Sequence, residues 1–150
     1  MPELCDRCLL LSNGWVCDNL DCNNYVEDFY AKHIIILKKK YPVNIERLNL
    51  SNTRIRKISA LSSLINLKEL DLSKTKVQDI SALNNLVNLE VLFLSNTKVQ
   101  DISALSNLTN LKWLDLYNTK VQDISALSNL TNLKYLFLCN TKVQDIICFR

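Results

Sequence analysis

Four cysteines near the start of the chain are the residues whose spacing most directly suggests chemistry. Their pattern is C-x2-C-x8-C-x4-C, formed by Cys5, Cys8, Cys17 and Cys22. Four thiolates can hold Zn²⁺ in the closed tetrahedral geometry of a structural site, which leaves no coordination position for a substrate. Free thiols and disulfides are the two alternatives. We expect one structural zinc ion in this segment.

Residues suited to catalysis are sparse. The chain has one histidine, His33, and no Gly-rich phosphate loop, H-E-x-x-H or G-x-S-x-G motif. We interpret His33 as part of an apolar stripe of its segment and not as a further metal ligand. The sequence reveals no base near Cys139 that could activate its thiol. We therefore expect neither enzymatic activity nor a small-molecule substrate.

Composition and charge narrow the class of protein further. The net charge of +3 is too mild to predict nucleic-acid binding, and apolar runs such as residues 34–37 are far shorter than a membrane span. The first residues lack a basic stretch followed by an apolar one, so we expect a cytoplasmic rather than a secreted protein. In that compartment the six cysteines would be thiols or metal ligands more often than disulfides.

A repeat of 22 residues organises most of the chain. Threonine recurs at this interval, and so do several leucines, in a unit that reads L-x-x-L-x-L-x-x-T-x-V-x-D-I-x-x-L-x-x-L-x-N. One such unit is called a rung below. Each rung has more leucine than it can bury alone, so the rungs must stack and share a core. The threonines stand at Thr53, Thr75, Thr97, Thr119 and Thr141.

Two periodicities predict the structure of one rung. Leu-x-Leu has the period of a short strand with one face inward, and the I-x-x-L-x-x-L steps suit a 3₁₀ or irregular return. No rung contains glycine or proline, so polar side chains must support the turns. Asp79, Asp101 and Asp123 precede the return segments and can cap them.

These five repeats, from Ile45 to Ile146, resemble the leucine-rich repeat family in its 22-residue form, similar to bacterial internalins and to phosphatase-regulating leucine-rich repeat proteins. The resemblance implies an α/β solenoid: a right-handed superhelix of five rungs, with a parallel concave sheet and short convex returns. The family usually places asparagine where this chain has threonine. A threonine ladder, with one donor per side chain, therefore replaces the buried asparagine ladder.

In the family's geometry, the residues around Leu-x-Leu point out of the concave sheet. Residues 97–118 and 119–140 are identical at 19 of 22 positions, and the three differences all fall on outward strand positions: Trp113/Tyr135, Asp115/Phe137 and Tyr117/Cys139. We interpret the two rungs as copies of one duplicated unit in which only the residues of the recognition surface have since changed. Exposed aromatics are typical of interface cores. The predicted partner-binding residues are Phe93, Trp113, Asp115, Tyr117, Tyr135 and Phe137.

The two ends of the repeat are expected to differ. Residues 1–44 form a Cys-rich cap that covers the first rung, and residues 45–150 form the solenoid. Residues 23–40 are predicted to be helical, although the β-branched Ile34–Ile36 leave a strand as an alternative. The C-terminal edge has no comparable cap, so Phe149 folds over the last rung or the edge meets a second copy in a homodimer.

The leading functional hypothesis is a non-catalytic module that binds a partner protein through the aromatic concave face. The alternative is an adaptor or regulator of the ubiquitin-ligase or phosphatase type. In that case the Cys-rich N-terminus docks to cellular machinery and the concave face selects the target.

Purification without chelator tests the zinc site. We expect about one zinc ion per chain by metal analysis under reducing conditions, since four cysteine thiolates close one tetrahedral site. Metal-free protein with disulfides or four unreacted thiols in this segment would contradict the prediction.

Overall fold

The computed structural model describes residues 8–11, 14–17, 33–36 and 39–144. Two of the predicted zinc ligands, Cys5 and Cys22, and the C-terminal Phe149 lie outside these residues. The described strands are β1 (Cys8–Leu11), β2 (Gly14–Cys17), β3 (His33–Ile36), β4 (Lys39–Pro42), β5 (Arg47–Asn49), β6 (Glu69–Asp71), β7 (Val91–Phe93), β8 (Trp113–Asp115) and β9 (Tyr135–Phe137). Four 3₁₀ turns span Ser59–Ser63, Ser81–Leu83, Ser103–Leu105 and Ser125–Leu127.

The strands form two antiparallel hairpins and one parallel sheet. β1 pairs with β2 and β3 pairs with β4, while β5 to β9 form a five-stranded sheet in chain order. Each rung contributes one strand to this sheet, and a 3₁₀ turn returns the chain between consecutive strands. The parallel sheet and the short returns confirm the α/β solenoid predicted from the repeat.

Leucines from every rung fill one continuous core. In the central strands the middle leucines, Leu70, Leu92 and Leu114, are fully buried. The leucines and isoleucines of the returns join the same cluster, so each rung is packed against the next one along its whole length. This stacking removes from water the apolar surface that no rung could bury alone.

The threonine ladder is present, and its hydrogen bonds stay within each rung. The Thr97 hydroxyl donates to the carbonyl oxygen of Leu94 at 2.7 Å, and the side chain is only 6% exposed. The same bond to the residue three positions earlier recurs at Thr53, Thr75, Thr119 and Thr141. Each threonine thus closes the turn that follows its own strand.

The residue before each threonine has the left-handed backbone conformation. Its φ lies between 54° and 59° in all five rungs, which costs free energy for most residues and least for glycine, asparagine or aspartate. Asparagine supplies four of these positions, and Lys74 is the exception. This is how a turn without glycine is built here.

Asparagines make several of the side-chain hydrogen bonds between rungs. The Asn110 amide donates to the carbonyl oxygen of Val87 at 2.9 Å, one rung earlier. Asn88 and Asn132 repeat this bond to Ile65 and Thr109. An asparagine ladder therefore exists in this chain, at an exposed position different from the one that threonine occupies.

The helix predicted for residues 23–40 is wrong over its described part. Residues 33–36 and 39–42 form the β3–β4 hairpin instead, as the β-branched run Ile34–Ile36 allows. Ile36 is 3% exposed and belongs to the leucine core, and β3 lies against the 3₁₀ turn of the first rung. The hairpin thus packs against the first rung, while the Cys-rich cap expected for residues 1–44 stays a prediction.

The last described rung is less well covered. Leu136 in β9 is 38% exposed, whereas its counterpart Leu114 is fully buried. The predicted contact of Phe149 with this edge, and the homodimer through it, concern residues outside the described ones and stay predictions.

We expect Thr97→Val to lower the free energy of unfolding by about 1–2 kcal/mol, because it removes the buried donor to the Leu94 carbonyl at nearly constant volume. Denaturant unfolding measures the loss. The control is Thr109→Val, an exposed threonine whose substitution should change stability by less than about 0.5 kcal/mol. Equal effects of the two variants would show that the hydrogen bonds of the threonine ladder do not contribute to stability.

Candidate functional site on the outer face of the sheet

Strand register aligns the outward side chains in columns. The first column contains Arg47, Glu69, Val91, Trp113 and Tyr135, and the second contains Asn49, Asp71, Phe93, Asp115 and Phe137. Members of a column come from neighbouring strands, which lie ~4.8 Å apart. The buried leucines between the two columns face the core, so both columns lie on the opposite face of the sheet. We call this surface the sheet face; in the resemblance drawn above it is the concave side.

Four aromatic rings pack together at one end of the sheet face. The Trp113 ring lies 4.7 Å from the Tyr135 ring, 5.2 Å from that of Phe137 and 6.3 Å from that of Phe93, measured between centroids. These four residues are the aromatic cluster. The tilted geometries are favourable for aromatic pairs. The cluster is also open to solvent, because Tyr135 is 53% and Phe137 44% exposed.

The indole N–H of Trp113 lacks a hydrogen bond. Its Nε1 atom is buried and has no acceptor among the described residues. A buried unpaired donor costs free energy relative to a paired one. Packing in the aromatic cluster, not hydrogen bonding, therefore holds the Trp113 side chain.

Tyr117 stands apart from the aromatic cluster. Its ring makes no contact with another aromatic ring in the described part of the chain, and its hydroxyl accepts a hydrogen bond from the Asn140 amide at 3.1 Å. The side chain is 42% exposed. Tyr117 thus extends the apolar surface beside the cluster without belonging to its stack.

Asp115 lies between two of the rings. The register places it directly between Phe93 and Phe137 on the adjacent strands, and Trp113 precedes it by two residues on its own strand. Its Oδ1 accepts the backbone N–H of Tyr117 at 2.9 Å. Asp71 makes the same bond to Ser73 at 2.8 Å. These aspartates fix the chain direction just after their strands and keep a second carboxylate oxygen for other contacts.

The sheet face has more acidic than basic groups. Its two columns contain three carboxylates, those of Glu69, Asp71 and Asp115. They contain one guanidinium, that of Arg47, which pairs with Glu69 at 3.5 Å. Two lysines at the border of the sheet are paired as well, Lys68 with Glu46 and Lys112 with Glu90. This acidic character can be found from the sequence once the outward residues of successive rungs are aligned in columns.

The predicted zinc ligands are only partly within the described residues. Cys8 and Cys17 are directly opposite each other in the β1–β2 hairpin. Opposite residues in an antiparallel pair have Cα atoms about 4.5–5.5 Å apart, which suits a disulfide as well as two ligands of one metal ion. Because the backbone fits both chemistries, zinc binding stays a prediction. No cluster of metal-ligating side chains occurs in the part of the chain that the structure describes.

Cys139 is disulfide-bonded. This cysteine occupies the position that Tyr117 has one rung earlier, and it is an exception to the expectation that the cysteines are thiols or metal ligands more often than disulfides.

The aspartates that precede the returns cap them as expected. Asp79 Oδ1 accepts the N–H of Ser81, the first residue of its 3₁₀ turn, at 2.8 Å, and Asp101 and Asp123 do the same for Ser103 and Ser125. The bond from the backbone N–H, followed by the serine hydroxyl, lowers the pKa of each carboxyl below its usual value. For Asp101, repulsion by Asp79 and Asp123 opposes this effect.

The family model for leucine-rich repeats matches the chain at residues 43–85, 65–107, 87–129 and 109–148. The chain belongs to the leucine-rich repeat family, whose members generally mediate protein–protein interactions. No curated protein sequence matches it. None of the described segments forms a helix of the length and apolarity needed to cross a membrane.

Solved structures of bacterial leucine-rich repeat proteins are similar to this chain. Internalin C2 of Listeria monocytogenes is 36% identical over 59% of this chain and 39% of that one, with a TM-score of 0.58. An internalin (inlF) of the same organism is 32% identical over 73% and 40%, also with a TM-score of 0.58. A leucine-rich repeat protein of Leptospira interrogans is 27% identical over 66% and 26%, with a TM-score of 0.63. The chain therefore spans two fifths or less of each of these structures.

The three capping aspartates predict an acid-dependent loss of stability. Because their pKa values are lower in the folded state, their contribution is complete above the unfolded pKa and is lost as pH falls through the folded value. We expect the free energy of unfolding to fall between pH 5 and 3 by more in the wild type than in the triple Asp→Asn variant, which keeps the acceptor oxygens but does not titrate. Denaturant unfolding across this range checks the difference, and parallel pH profiles would contradict it.

Proposed function

We propose that this chain is a non-catalytic recognition module that binds a partner protein through the aromatic cluster and the adjoining Asp115 and Tyr117. The observation that carries the proposal is the solvent-open stack around Trp113, built on a sheet whose opposite face is fixed by the leucine core. Exposed aromatic clusters have the composition of interface cores.

The near-identical rungs give independent support. Between residues 97–118 and 119–140 the changes are confined to the two outward positions of the strand and the position two residues beyond it, while exposed positions elsewhere, such as Lys98/Lys120, are unchanged. Selection on the sheet face accounts for that distribution better than random exchange of exposed residues. Rigid strands also lose little conformational entropy on binding.

An adaptor role is the second candidate. The observation that favours it is the separate β1–β2 hairpin, which brings Cys8 and Cys17 together outside the repeat. In this role the N-terminal segment docks to cellular machinery and the sheet face selects the target. Truncation of residues 1–32 would then abolish the docking contact while leaving target binding at the sheet face.

Peptide selection tests the sheet face directly. A phage-displayed random peptide library is panned against the whole chain, and the affinity of the enriched peptides is measured by calorimetry. We expect Trp113→Ala to weaken binding by about 2 kcal/mol or more, as truncation of buried interface tryptophans often does. Tyr135→Ala, at a more exposed ring, supplies a second variant if the first one unfolds.

Two controls separate the sheet face from general surface effects. Val87 is an exposed apolar residue outside the sheet, and Lys120 is an exposed charge on the flank. Val87→Ala and Lys120→Ala should each change the affinity by less than about 0.5 kcal/mol. Equal and small effects of all four variants would place binding elsewhere, with the N-terminal segment as the next candidate.

A further inference from the structure

A carboxylate adjoins the aromatic cluster at a position that an apolar surface would not provide. Asp115 has Phe93 on one side and Phe137 on the other in its column, and Trp113 and Tyr117 two residues before and after it along the chain. Position 115 is also one of the three positions that differ between the two near-identical rungs, and the equivalent residue in the following rung is Phe137. Aromatic side chains therefore surround one negative charge.

The hydrogen bonds of Asp115 leave that charge uncompensated. Oδ1 accepts the N–H of Tyr117 at 2.9 Å, and no cationic side chain of the described residues forms an ion pair with the carboxylate. The glutamates nearby differ in this respect, since Glu69 pairs with Arg47 and Glu90 with Lys112. Asp115 is partly buried, so water compensates its charge less completely than at an open surface.

The chemistry of this arrangement selects a cation. Aromatic faces attract ammonium and guanidinium groups, most strongly at tryptophan, and a carboxylate adds a charge-assisted hydrogen bond. The sheet face as a whole has three carboxylates and one guanidinium, whereas the chain has a net charge of +3. An anionic group would meet repulsion here, and a purely apolar group would leave Asp115 desolvated without a partner.

We propose that the aromatic cluster receives a basic side chain of the partner protein, with its stem on the rings and its charge against Asp115. The proposal rests on the proposed function, because it specifies what the partner presents to the same surface. Arginine fits better than lysine, since its planar guanidinium can stack on a ring and donate to a carboxylate at the same time.

A peptide titration tests this specificity without the natural partner. The probes are acetylated, amidated pentapeptides with a central arginine, lysine or citrulline between glycines; citrulline keeps the shape of arginine but lacks its charge. NMR follows the indole N–H of Trp113, assigned by its loss in Trp113→Phe. We expect a saturable shift with a dissociation constant of about 1–10 mM for arginine, weaker binding for lysine and none for citrulline.

Two substitutions in the same column supply the matched comparison. Asp115→Asn keeps the acceptor for the Tyr117 N–H but removes the charge, and we expect it to weaken arginine binding at least fivefold. Asp71→Asn is the control, because Asp71 makes the same bond to Ser73 but has a phenylalanine on one side only. It should leave the affinity within twofold of the wild type.

The outcomes distinguish this inference from the proposed function. Equal binding of arginine and citrulline, no saturable binding of arginine, or no effect of Asp115→Asn overturns the inference. If peptides from the library depend on Trp113 yet show no enrichment of basic residues, the inference fails while the proposed function stands. If their binding is independent of both Trp113 and Tyr135, the proposed function fails as well.

Discussion

The burial of each rung's leucines by the next rung is the interaction on which this molecule depends. Leu92 and Leu114 are fully buried because strands on both sides cover them, whereas Leu136 in the last described strand is 38% exposed. No rung has a core of its own. The sheet, its register and every column of outward side chains follow from this stacking, because the leucines permit only one alignment of neighbouring rungs.

Polar side chains satisfy the backbone where the leucines cannot. Threonine hydroxyls close the turn after each strand, asparagines adopt the left-handed conformation before them, and aspartates cap the 3₁₀ turns. A further set of asparagines donates to the carbonyl groups of the preceding rung. The threonine hydroxyls thus bond within their own rung, whereas asparagines, some of the left-handed ones included, bond to the preceding rung. This division explains how threonine can occupy the usual ladder position of asparagine without loss of contact between rungs.

The same division frees the sheet face for recognition. Neither packing nor the turns depend on the first outward column, so Trp113 and Tyr135 can differ between two otherwise almost identical rungs. In the second column, Asp71 and Asp115 also support the turn, because each accepts a backbone N–H. Phe137 occupies the same position without an acceptor, so the strand can form without this hydrogen bond. The sheet face can therefore change its chemistry at low structural cost, which suits a module whose task is to recognise another protein.

The sequence alone determined most of the features that recur in every rung. The leucine core, the threonine ladder and the aspartate caps were predictable from the 22-residue repeat, because a residue at such a position has nearly the same neighbours in each rung. The resemblance to the leucine-rich repeat family added the parallel sheet and the outward columns. The asparagine bonds between rungs recur at the same interval but were not predicted. The tertiary structure decided what occurs once. It made residues 33–36 and 39–42 a hairpin against the first rung, left the Trp113 indole without an acceptor among the described residues, separated Tyr117 from the aromatic cluster and engaged Cys139 in a disulfide. These contacts join residues with no periodic relation, so local propensity is weak evidence for them and packing settles the outcome.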